Sequence, residues 1–200
     1  MLKKTLLIAM VAVMLAAVGS LCGYCEQVDD KVISADVPAR EELTVSVFRV
    51  DSSNNWNEDK TNIEFGTLAW DEDNSIFTSS DYYVLDVGIE DNWRNWNIAH
   101  TTTSIGGLDA NNTGTNLDDN VNVTFVKQTG DTTSSQISKV TFANSGSFTS
   151  NKAALEGGWL RIYYGIADGG TNDAPGAEPV TIDTYWGRYQ GSVTLTLTSN

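Results

Sequence analysis

Apolar and polar positions alternate through most of this chain once its first 25 residues are passed. The longest case is the stretch Tyr189 to Thr198, where Val193, Leu195 and Leu197 point one way and Ser192, Thr194, Thr196 and Thr198 the other. Successive side chains of a strand take opposite faces, so this pattern predicts a β-strand with one buried side. Threonine suits the outer side, because its branched Cβ fits a pleated surface. The same reading covers Leu43 to Val50, with Leu43, Val45 and Val47 set against Thr44 and Ser46. It covers Tyr82 to Ile89 through Tyr83, Leu85, Val87 and Ile89, and it places Trp96, Ile98 and His100 on one face. Val121 to Phe125 alternates too, and Trp159 to Ile166 turns Leu160, Ile162, Tyr164 and Ile166 inward. Shorter strands are predicted at Ile63–Leu68 and Gln136–Phe142, with Phe148 in a neighbouring one and another starting at Val180-Thr181-Ile182.

Between these segments lie runs of Gly, Asn, Asp, Ser and Thr: Asp51 to Asn62, Asp71 to Ser75, Ser104 to Asn120 and Asp168 to Pro179. They read as turns and surface loops. Only Ala153 to Glu156 looks helical, and it amounts to one turn. Eight to nine strands with no amphipathic helix predict an all-β fold. The expected architecture is a single antiparallel β-sandwich, immunoglobulin-like or jelly-roll-like, over residues 41–200.

The first 25 residues are of another kind. Lys3 and Lys4 precede an uncharged apolar run from Thr5 to Val18, closed by the small residues Gly19 and Ser20. That is the form of a secretory signal peptide, and the run is short of the ~20 residues that span a bilayer. Residues 1–25 are read as signal and cleavage region, 26–40 as a partly mobile lead with a short apolar patch at Val32-Ile33 broken by Pro38. Cys22 and Cys25, the chain's two cysteines, fall in the cleavage region, so the body carries no disulfide and is held by apolar burial. About 175 residues remain, enough for one core of good size.

Losing Lys3 and Lys4 leaves ten of 12 basic residues against 26 acidic ones, moving the charge from −14 to −16. Such a surface repels nucleic acid and anionic headgroups and stays soluble. Aromatic residues at 10% argue against disorder. The expected location is outside the cytoplasm, with no membrane span once the signal is removed.

The ending Gly187-Arg188-Tyr189-Gln190-Gly191-Ser192-Val193-Thr194-Leu195-Thr196-Leu197-Thr198 is similar to the closing strand of spore-coat-U-like and fimbrial-subunit-like domains. Ile63 to Leu68, Tyr82 to Val87 and Asn95-Trp96-Asn97-Ile98 resemble the layout of WxL-type cell-surface domains. The likeness covers about a third of the chain and consists of strand grammar. The body lacks the cysteines usual in the first group and the paired Trp-x-Leu motifs of the second, since Trp159-Leu160 has no spacer. What the resemblance implies is a non-catalytic bacterial component of an envelope, coat or fibre, secreted, periplasmic or surface-borne, with similar subunits as partners.

The chemistry-bearing candidates are few. His100 is the only histidine, set beside Trp96 and Ile98 on a buried face, and there is no Gly-x-Ser-x-Gly elbow. It is read as structural. Acidic runs such as Asp71-Glu72-Asp73 and Asp118-Asp119 are read as solvated loops, and Asp86 as an outward strand residue. A calcium site is the cofactor candidate: Asp109, Asn111 and Thr113 place oxygen side chains at alternate positions before Gly114, but the twelfth position is Asn120 where an EF-hand has Glu. A plain Asn/Gly-rich loop explains the same residues. Of six tryptophans most are expected in the core. Trp56 and Trp93 are the expected exceptions, and as exposed rings they are candidates for stacking on polysaccharide. The sequence therefore predicts a non-enzymatic surface protein, with a carbohydrate-binding module as the alternative.

Overall fold

The computed structural model describes residues 41–91 and 95–199. The leader, Cys22, Cys25, the 26–40 lead and Trp93 lie outside the described residues. Strands and helices are numbered in chain order. One antiparallel sheet has six strands in the spatial order β2 (Trp56–Lys60), β1 (Glu41–Val50), β5 (Tyr82–Asp91), β10 (Trp159–Ile166), β7 (Val121–Gln128) and β8 (Ser134–Thr141). A second has three, β12 (Tyr189–Ser199), β6 (Trp96–Gly107) and β9 (Thr149–Asn151). A small third sheet joins β11 (Val180–Thr181), β4 (Ile76–Thr78) and β3 (Ala69–Asp71). The fold is all-β and sandwich-like, as the alternation predicts.

Register decides which residues reach the core. Val47 lies opposite Leu85, Leu85 opposite Ile162, and Ile162 opposite Phe125, so one row of apolar side chains crosses four strands on a single face. Trp96 and Ile98 of β6 and Val193, Leu195 and Leu197 of β12 join the same apolar cluster. The inner and outer sets of β12 are the ones its sequence predicts: Thr194, Thr196 and Thr198 are exposed. Its three apolar residues are half-buried rather than sealed, because among the described residues β12 is an edge strand paired only to β6. Two single-turn helices, α1 (Phe142–Ser145) and α2 (Lys152–Leu155), add Phe142 and Leu155 to the core. Asn151 caps α2, accepting from the Ala154 N–H at 2.9 Å.

Three expectations are corrected. Among the described residues there are twelve strands, not eight to nine. The additional ones, β2, β3, β4 and β9, have five residues or fewer, too short for alternation to register, whereas β11 begins at Val180 as expected. Ile63–Leu68 is not a strand. Its alternation is real, because Ile63 and Phe65 both pack on the core, and Phe65 meets the Tyr83 ring edge-on at 5.5 Å. The segment instead is pinned by the Tyr83 hydroxyl, which donates to the Glu64 carbonyl at 2.6 Å, and it turns at Gly66 with φ +67°. The surface loop expected from Ser104 starts only at Leu108, since β6 runs on to Gly107 opposite Tyr189. No helix among the described residues is long and apolar enough to cross a membrane.

Candidate ligand-binding surfaces

His100 lies in the core at 1% exposure, as the sequence reading expects. Its Nδ1 is 3.0 Å from the Ser145 carbonyl oxygen, which can only accept, so Nδ1 carries the proton. Nε2 is then the acceptor, and the Tyr164 hydroxyl donates to it at 2.7 Å. Burial holds the imidazole below its usual pKa, partly opposed by the Ser145 carbonyl. Burial also pushes the Tyr164 phenol above its ordinary range. Both ring nitrogens are thus employed inside the fold, and a neutral, enclosed imidazole has no approach to a substrate proton.

The outer face of the six-stranded sheet is covered in part, with Val50 and Val84 fully buried and Trp56 left exposed. Phe48, Val84 and Tyr163 form one row across it, and Ser46, Asp86 and Arg161 form the next. Asp86 accepts from Arg161 Nε and Nη2, both at 2.6 Å, a bidentate pair with 22% and 13% of the two side chains exposed. The guanidinium thus fixed lies 5.0 Å from the Trp56 ring centre and 5.8 Å from that of Trp159. Phe48 meets Trp56 edge-on at 5.6 Å. Trp56, 42% exposed, is therefore a ring held in place and still open to solvent. A shallow hollow beside it is lined by Arg49, Asn55, Asn57 and Glu58. Asp51 braces that rim: its carboxylate accepts from the Asn55 and Ser53 N–H groups at 3.0 and 2.9 Å, and these bonds hold it below the usual carboxylate range. Trp93, the second candidate for stacking, falls outside the described residues.

The 109–120 loop is tied to the segment before β12. Asp109 accepts from the Arg188 N–H at 2.6 Å and pairs with its guanidinium at 3.1 Å, and the Arg188 N–H in particular holds this carboxyl below its usual range. Asn112, fully buried, accepts from the Asp109 N–H at 2.8 Å and donates to the Arg188 carbonyl at 2.9 Å. Asn111 donates its amide to the Trp186 carbonyl, and Thr113 donates to the Asp109 carbonyl at 2.9 Å. Asn120 donates to the Glu178 carbonyl at 2.8 Å. Of the four residues read as calcium ligands, Asp109 alone is an anion, and Arg188 already neutralises it. No group of three His, Cys, Asp or Glu side chains that would hold a metal occurs among the described residues. The residue that organises the loop, Asn112, sits at a position the calcium spacing skips.

The tryptophans depart from expectation. Of the five described, Trp96 is buried, Trp159 half-buried, and Trp56, Trp70 and Trp186 are exposed. Trp186 is the extreme case at 79%, and near it in the chain Ile182 and Tyr185 are 76% and 61% exposed. A hollow at this end is lined by Asn116, Asn120, Glu178, Asp183, Thr184 and Tyr185, among others. Comparison with protein-family models, curated proteins and solved structures finds no match.

Proposed function

We propose that this chain is an exported, non-catalytic protein of the bacterial envelope or surface, built to occupy or hold rather than to transform. The observation that carries this reading is the enclosure of His100: the one side chain with an unperturbed pKa near neutrality is spent on tying β6 to α1 and β10. The leader-like first 25 residues, the acidic composition and the strand grammar shared with coat and surface domains support it. The test is a panel of glycosides, esters and peptides offered to the purified mature protein. The expected result is no turnover, and turnover that copurifies with the folded protein and disappears when it is unfolded would refute it.

A second reading, carbohydrate binding through Trp56, is favoured by the open ring fixed between Phe48 and Arg161 beside amide-bearing side chains. An indole face packs on the C–H side of a sugar while neighbouring amides meet its hydroxyls. Titration with soluble polysaccharide should shift tryptophan emission, and Trp56→Ala should remove that shift. A shift that survives in the variant places no sugar on this ring.

A further inference from the structure

We propose a separate ligand site at the loop end of the sandwich, where exposed Tyr185 lines a polar hollow and exposed Trp186 follows it in the chain, and that it takes a neutral saccharide chain. It does not rest on Trp56, which lies on the sheet face.

Large exposed aromatic side chains in a loop are usually mobile, but this loop is built. The carbonyls of Trp186 and Arg188 are held by the amides of Asn111 and Asn112, and the Arg188 N–H by Asp109. The Leu108 N–H donates again to the Arg188 carbonyl at 2.9 Å, and the Tyr189 hydroxyl donates to the Tyr185 carbonyl. Thr181 and Thr184 close the preceding turn, with the Thr184 N–H donating to the Thr181 carbonyl at 3.0 Å. Gly187 has φ +141°, and a Cβ there would come within 2.6 Å of Asn112 Nδ2 and 2.9 Å of Asp109 Oδ2, so only glycine fits under the clamp. All these bonds go to backbone and leave the rings of Tyr185 and Trp186 uncovered. A backbone fixed in this way has little loop freedom left to lose on binding.

The lining of the hollow selects the occupant. Tyr185 gives it an aromatic wall, while Asn116, Asn120, Thr184, Glu178 and Asp183 offer amide, hydroxyl and carboxylate groups. A sugar ring has both requirements: a C–H face for the aromatic wall and hydroxyls that donate and accept at once. No Lys or Arg lines the hollow. With a chain charge of −14, uronic-acid polymers and anionic headgroups meet repulsion, and the nearby cation Arg188 is already paired with Asp109. A neutral polymer of hexose or pentose units is the class that remains.

The experiment is affinity electrophoresis of the mature protein in native gels cast with soluble glucan, mannan or xylan, and in a matched polyuronate gel. Retardation is expected in at least one neutral gel and not in polyuronate. Tyr185→Ala and Trp186→Ala should each weaken it about tenfold or more, as truncation of an anchoring aromatic does. Both side chains are exposed, so unchanged melting temperatures are expected and separate lost binding from lost folding. Trp56→Ala should leave this retardation in place. The proposal is overturned by no retardation in any neutral gel, by equal retardation in polyuronate, or by Tyr185→Ala and Trp186→Ala variants that bind like the parent. Loss confined to Trp56→Ala also overturns it, while leaving the sheet-face reading intact. Self-association that disappears in Trp186→Ala, without saccharide binding, would make the occupant a second copy of the chain and likewise refute it.

Discussion

Lowering the pH from 7 to 5.5 should destabilise this protein through a single side chain. An unfolded histidine titrates near pH 6.5, whereas the folded core holds His100 neutral to lower pH. The unfolded state therefore binds a proton that the folded state refuses, and stability falls as the pH falls. The loss is at most about 1.3 kcal/mol, the linkage value for an imidazole that takes up no proton in the folded state across this window. For a domain of this size the corresponding drop in melting temperature is at most about 5 °C. Protonation is resisted for a geometric reason: Nδ1 already donates to Ser145, and Nε2 would have to donate toward a Tyr164 hydroxyl now donating to it. The edge of Phe125 at 5.1 Å gives the charge no counter-ion. Carboxylates interfere little, since they ordinarily titrate near pH 4. Calorimetry across the window measures the loss, and because the chain has one histidine, its ring-proton NMR signal reports the site directly. A flat melting temperature, or a titration midpoint at or above 6.5 in the folded protein, would refute the reasoning.

Leu195→Ala should cost about 2 kcal/mol, the low end for such truncations because the residue is half-buried on an edge strand, while Thr196→Ala on the opposite face should cost under about 1 kcal/mol; denaturant melts that rank them the other way would mean the register of β12 is slipped by one. A cation entering the 109–120 loop has to displace Arg188 from Asp109. Any calcium-dependent rise in melting temperature should therefore be larger in Arg188→Ala than in the parent, and an equal rise in both would put the ion elsewhere.

What was legible in the sequence was long and repetitive. Tyr82–Asp91, Trp159–Ile166 and Tyr189–Ser199 carry enough alternating pairs for period two to stand out, and their inner faces follow from it. Ile63–Leu68 shows the limit: alternation reports which side chains face the core and not whether a neighbouring strand exists. A short strand such as β9 is defined by a partner far away in the chain, at Asn97–Ala99, and carries no pattern of its own. The outer face of β10 was hidden because its side chains are Trp159, Arg161 and Tyr163, so its polar half looks apolar. The loop end was hidden more thoroughly. The clamp on Trp186 depends on Asn111 and Asn112 meeting residues about 75 positions later, and the ordinary expectation for tryptophan is burial.

The strand order has a consequence for how the molecule forms during synthesis. β10 sits between β5 and β7, and its central ion pair joins residues 75 positions apart, while β12 reaches back to β6 across as many as 103, at the Ser199–Trp96 pair. Neither layer can be assembled by adding each new strand beside the last. After β8 is made, β5 and β7 each present an open backbone edge until Trp159–Ile166 arrives between them. β6 keeps one side unpaired until Tyr189–Ser199 exists. Chains dominated by such distant pairings fold slowly and spend that time with edges able to capture other chains. Crowding of nascent copies, more than heat, is then the condition under which this sandwich is most exposed to misassembly.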